Sequence, residues 1–167
     1  MAIYVFGYGS LINKNELSTL FSKKKKVIPV IVSGLKRVFN VSVSGGKYKV
    51  FGVKESSSNA AECNGVLVKV NEAELAELIE RESHYKVKTV NKNRLSFPYG
   101  KPIALKKDDQ ILCFYPKPTF TLNKKHSELI PTRPNYLNIC LEGAKGFGED
   151  FLNDFIENTS GVQTRFL

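Results

Sequence analysis

Soft metal ligands are scarce in this sequence: three cysteines and two histidines among 167 residues. Cys63, Cys113 and Cys140 lie far apart with no metal-type spacing, and His84 and His126 are the only other soft donors. No zinc site is expected, nor a catalytic Cys–His pair, since no local motif joins the two residue types. The cysteine pattern fits a reducing, cytoplasmic compartment. No apolar run approaches the roughly 18 residues of a membrane span, so no membrane partner is expected. The N-terminus has no basic stretch ahead of its apolar residues, which argues against a secretory leader. A chain of this length can bury about 70% of its unfolded surface, so its core needs neither disulfide nor metal. One domain over residues 1–167, working as a monomer, is the expectation.

Acidic residues are also in deficit. Asp and Glu number 16 against 25 Lys and Arg, a net charge of +9 that makes nucleic acid worth weighing. The basic residues cluster at Lys23 to Lys26, Lys106–Lys107 and Lys124–Lys125. No basic helix or nucleic-acid motif accompanies them, so they read as solvated loops and strand edges, where lysine discourages aggregation. Nucleic acid is therefore not an expected partner, although a basic surface can attract small anionic substrates.

The familiar glycine motifs are missing as well. The stretch Ile3-Tyr-Val-Phe-Gly-Tyr-Gly-Ser-Leu11 has Gly7-x-Gly9 but Ile12 where the dinucleotide fingerprint wants a third glycine. There is no Gly-Lys-Ser/Thr, and Ser10 is not flanked as in a nucleophile elbow. What remains is a buried strand running into a turn in which glycines let backbone N–H groups approach a ligand. With a helix following near Asn13, such a turn suits a carboxylate; it serves equally as a tight strand–helix connection with no ligand.

Runs of β-branched and aromatic residues predict strands at 4–7, 27–33, 37–42, 47–54, 65–70, 86–90 and 111–114, with Gly45-Gly46 as a hairpin turn. Helices are expected at 13–22, 71–82, 134–144 and 149–158. Tyr136, Ile139 and Cys140 share one face of the third, and Leu152, Phe155 and Ile156 one face of the fourth. Residues 56–59 and 116–134 read as loops. Many strands, few helices and no strict alternation predict an α+β fold with a curled sheet or small barrel.

The second helix carries the most specific signal. Asn71 and Glu74 have the spacing of a capping box, and Leu75, Leu78 and Ile79 define an apolar face. At about 100° per residue Glu82 falls on that face, while Glu77, Glu80 and Arg81 point elsewhere. A carboxylate aimed inward either finds donors or shifts its pKa upward, toward the range that general acid–base catalysis uses. The alternative is that the helix ends before residue 82 and Glu82 turns to water or to a lysine.

Taken together, these segments resemble the γ-glutamylcyclotransferase-like superfamily. The resemblance rests on Tyr8-Gly9-Ser10-Leu11 at the end of the first strand, Gly34-Leu-Lys-Arg-Val-Phe-Asn40, Glu82 with Tyr85 just after, and Arg133-Pro-Asn-Tyr-Leu137 running into Gly143-Ala-Lys145. The segments stand in family order and span nearly the whole chain. The resemblance implies a small mixed β-barrel with surrounding helices and no metal or organic cofactor. It implies that the α-amine of a γ-glutamyl group attacks its own γ-carbonyl, giving 5-oxoproline and a released amine or peptide.

By the same resemblance, Glu82 is the general acid/base and Tyr8, Gly9, Ser10 and Leu11 bind substrate. Tyr85 and Tyr136 would orient substrate or Glu82 through their hydroxyls, or serve as core aromatics. Leu11 stands where several branches of the family carry asparagine, and Ser83 where glycine is common. The rivals are a non-catalytic small-ligand-binding protein on the same fold and a basic nucleic-acid-associated protein.

Overall fold

The structure, a computed structural model, describes residues 1–58 and 60–159. The chain opens with β1 (Ile3–Gly7), a tight 3-10 turn at Ser10–Ile12 and helix α1 (Lys14–Leu20). Strands β2 (Val27–Ser33), β3 (Leu35–Val43), β4 (Tyr48–Glu55) and β5 (Glu62–Val70) follow, then α2 (Glu72–Arg81), β6 (Tyr85–Thr89), β7 (Leu95–Ser96) and β8 (Gln110–Pro116). The chain ends with α3 (Lys124–Leu129), α4 (Tyr136–Lys145) and α5 (Glu149–Glu157).

Six strands form one sheet in the order β6-β8-β1-β5-β2-β7, with β1 and β8 parallel and every other pair antiparallel. β1 lies in the middle and is nearly all buried, as a continuous apolar strand must be. The edges are blunted: β6 exposes Lys86 and Lys88, and β7 is two residues long. Gly34, at φ 76°, turns the chain out of this sheet. β3 consequently pairs with β4 alone, and the hairpin lies against β5 and β8.

The α+β class predicted from the sequence is the one observed, but the barrel does not close. The six-stranded sheet ends on β6 and β7, which do not pair with each other, and the β3–β4 ladder stays separate. All seven predicted strands are present, β2 with the predicted bounds and the other six with shifted ends. The loop predicted over 116–134 contains α3, capped by Asn123, whose side chain accepts from the N–H of His126 at 2.8 Å. The face predicted for the last helix is displaced, since Phe151 and Phe155 are fully buried and Leu152 and Ile156 only partly so.

Candidate functional site

The turn after β1 is held from below. Tyr8 donates its hydroxyl to the Phe114 carbonyl of β8 at 2.6 Å, and its own carbonyl accepts from Arg37 Nε at 2.9 Å. Arg37 is completely buried with no carboxylate ion-paired to it among the described residues; its remaining donors reach Thr159 Oγ1 at 2.9 Å, Asn64 Oδ1 at 2.7 Å and the Asn64 carbonyl. The guanidinium also stacks on the Phe155 ring, 3.8 Å from its centroid, and burial lowers its pKa.

Above this anchor the chain closes the 3-10 turn with Ile12 N–H on the Gly9 carbonyl (3.1 Å) and Asn13 N–H on that of Ser10 (3.0 Å). The N–H groups of Ser10 and Leu11 have no acceptor among the described residues, as the leading donors of such a turn do not. Asn13 then caps α1, accepting from Asn15 N–H at 2.8 Å, and donates to the Ile139 carbonyl of α4. The helix predicted from residue 13 is thus present as α1, and the glycine turn before it is one 3-10 turn. α4 closes onto that turn at Gly143, where a Cβ would come within 2.7 Å of the Asn13 nitrogen.

Glu82 reaches the same place by another route. α2 stops at Arg81, and Glu82 is its C-cap residue rather than a member of its face. Its N–H donates to the Leu78 carbonyl (2.9 Å), and its carbonyl accepts from Tyr85 N–H (3.0 Å), turning the chain into β6. The apolar face is narrower than predicted, because Ile79 is 43% exposed. The Glu82 side chain is half-buried and has no hydrogen bond or ion pair among the described residues. Burial raises its pKa above the ordinary glutamate value, opposed by the charges of Arg81 and Arg133.

The third side of the site is built on Phe51. A register shift in the β3–β4 ladder, between Val38 and Val41, leaves Phe51 without a cross-strand partner. Its N–H goes to the Tyr136 hydroxyl oxygen at 3.3 Å, and its carbonyl accepts from the Tyr85 hydroxyl at 2.7 Å. Burial raises both phenols well above their usual range. Gly9 meets Tyr136 so closely that a Cβ there would stand 2.7 Å from the hydroxyl oxygen.

These three sides enclose a cavity of about 350 Å³. Tyr8, Gly9, Ser10, Leu11, Glu82, Tyr85 and Tyr136 all line it. Its volume lies in the range of small-ligand sites. Arg133, Arg81, His84, Glu16 and Phe51 line it too and were not singled out as site residues from the sequence. Arg81 reads there as a solvated residue; it is exposed, yet it borders the cavity. Arg133 sits in a segment with no periodicity, and only the Arg-Pro-Asn-Tyr resemblance pointed to it.

Among the described residues no three His, Cys, Asp or Glu side chains group as metal ligands. The three cysteines are free and buried, and burial pushes their thiols up, Cys140 to about 12, away from nucleophilic character. No described helix is long and apolar enough to cross a membrane.

No family model matches the sequence, and neither does any curated protein. Solved structures do match. A γ-glutamyl cyclotransferase superposes with a TM-score of 0.68 at 18% identity, over 93% of this chain and 86% of that one. An uncharacterized human protein gives 0.67 at 20% identity, over 92% and 86%. A yeast γ-glutamyl cyclotransferase specific to glutathione gives 0.55 at 13% identity, over 99% of both chains. The chain has the γ-glutamylcyclotransferase-like fold.

Proposed function

We propose that this protein is a cyclotransferase that releases 5-oxoproline from a γ-glutamyl compound, with Glu82 as general acid/base. One observation carries the reading. Residues from four separate segments converge on one cavity, and the half-buried Glu82 carboxylate that lines it has no partner among the described residues. The same fold in solved γ-glutamyl cyclotransferases supports it at the level of architecture.

In this mechanism the free N–H groups of Ser10 and Leu11 take the α-carboxylate or the γ-carbonyl oxygen of the substrate. With the γ-glutamyl chain folded back, the amine and the carbonyl carbon meet within one molecule; such positioning can supply roughly 7–11 kcal/mol of the barrier. Glu82 removes a proton from the α-ammonium, and the freed nitrogen bonds to the γ-carbon. The bond from that carbon to the leaving nitrogen then breaks as Glu82 returns the proton to it, and the ring nitrogen's second surplus proton passes by the same carboxylate to the departing amine, leaving a neutral lactam and an ammonium. A carboxylate of raised pKa serves both transfers, since it is a stronger base ionised and a ready donor protonated. Tyr85 and Tyr136 act by fixing Phe51 and the wall beside the turn. The chain works as one domain and as a monomer.

The test is 5-oxoproline release from a panel of γ-glutamyl amino acids, amines and peptides, run beside Glu82→Gln. At least one compound is cyclised by the wild type, and the variant, folded by circular dichroism, loses about 10² or more of that turnover. Turnover unchanged in the variant would remove Glu82 from the mechanism. Saturable binding of a panel compound without 5-oxoproline would leave a binding protein on this fold.

A further inference from the structure

Two arginines from distant parts of the chain border the cavity beside Glu82. Arg81 ends α2; Arg133 precedes α4, and its guanidinium lies over the Tyr136 ring, 4.9 Å from the centroid. The backbone of Arg133 is fixed, donating to the Lys49 carbonyl at 3.0 Å beside the Lys49–Thr132 bridge. Neither guanidinium has an ion-pair partner within 4.0 Å among the described residues, although Glu16 and Glu82 line the same cavity. Elsewhere in the molecule Arg94 and Lys25 have found carboxylates, at 2.8 and 2.7 Å. The site therefore keeps two cationic forks free, where closing them on Glu82 would have cost it its role as a proton acceptor.

We infer that Arg133, assisted by Arg81, selects γ-glutamyl compounds whose leaving group carries a carboxylate, as amino acids and peptides do, over γ-glutamyl amines. The inference rests on the cyclotransferase reading and deepens it. The turn offers two unused N–H groups and can satisfy the substrate's α-carboxylate. Gly9 touches Tyr136, and Arg133 covers the ring of that tyrosine, so a chain running from the turn toward solvent passes under the guanidinium. A second carboxylate there meets a planar, permanently charged donor that can bind it through two parallel hydrogen bonds. A leaving amine without a carboxylate leaves both arginines in water and gains nothing from them.

A matched pair tests this: γ-glutamyl-alanine and γ-glutamyl-alaninamide, identical but for the terminal charge. The ratio of their kcat/KM values is the readout, because any change in Glu82 or in folding affects both compounds alike. The wild type prefers the acid by about tenfold, the low end for a charge-assisted hydrogen bond at a half-open site. Arg133→Gln brings the ratio toward one, Arg133→Lys recovers part of it, and Arg81→Gln lowers it less. A wild-type ratio near one, or a ratio unmoved in Arg133→Gln, overturns the inference while the cyclotransferase reading stands. Failure to cyclise either compound, or any other γ-glutamyl compound, overturns both.

Discussion

Glu82 carries its charge at a cost to the fold. Its pKa is raised by burial, so the folded chain holds this proton more tightly than the unfolded chain does. That contribution to stability is fully present below about pH 4.3, the ordinary glutamate value, and is lost as pH rises through the higher folded value. Glu82→Gln removes the ionising group, so its melting temperature at pH 7 should equal or exceed that of the wild type, with the gap closing near pH 4. Thermal melts at both values check this, and a variant less stable at pH 7 would mean that the carboxylate has donors in solution. Gly9 makes a separate case. A Cβ at this position would press on the Tyr136 hydroxyl at 2.7 Å, overpacking of a kind that costs about 1–3 kcal/mol. Gly9→Ala should be destabilised by that order, and Tyr136→Phe in the same chain should recover part of the loss by deleting the oxygen. Additive losses in the double variant would show that the two residues do not share this constraint.

The site's precision comes from how elements are tied together rather than from the residues that face the ligand. Arg37 joins its own strand β3 to three other segments, holding the carbonyl of Tyr8 after β1, the main-chain and side-chain carbonyl oxygens of Asn64 in β5, and Thr159 after α5. Arg37→Met strands several buried acceptors, each worth about 1–3 kcal/mol, so a loss on the order of 3 kcal/mol or more is expected by denaturant titration. Arg37→Lys should recover little, because one ammonium cannot reproduce the fork; full recovery would reduce Arg37 to a buried charge. None of this was legible in the sequence, where Arg37 is one basic residue at the start of a predicted strand. What was legible is local: the glycine turn by its composition, the strands by their apolar runs, and Glu82 by the spacing of α2. Even there the reason differs, since Glu82 is turned inward by the C-cap and its bond to Tyr85, not by the helix face. α3 was hidden by the prolines around it and β7 by its two-residue length. Phe51, Arg81 and Arg133 were hidden because a bulge, a helix end and a loop, distant in sequence, bring them to the cavity.

At the scale of the whole molecule the net charge of +9 is the least explained feature of the sequence, and the fold sets it on several surfaces, one of them a lysine-lined concavity. Lys23 to Lys26 lie with Lys69 beside α2, where Lys25 pairs with Glu74, and Lys86 and Lys88 guard a sheet edge. A net positive surface raises the local concentration of small anions. For an anionic γ-glutamyl substrate kcat/KM should therefore fall several-fold as salt rises from about 10 to 100 mM, while the Debye length shrinks from about 30 to 10 Å. The turnover number should hold, because the bound substrate is already past the field. This effect belongs to many charges, whereas the preference for a carboxylate belongs to one. Arg133→Gln should then abolish the preference and leave most of the salt dependence in place. If the salt dependence disappears with Arg133, the attraction is local to the cavity mouth, and the basic surface has no part in bringing substrate to it.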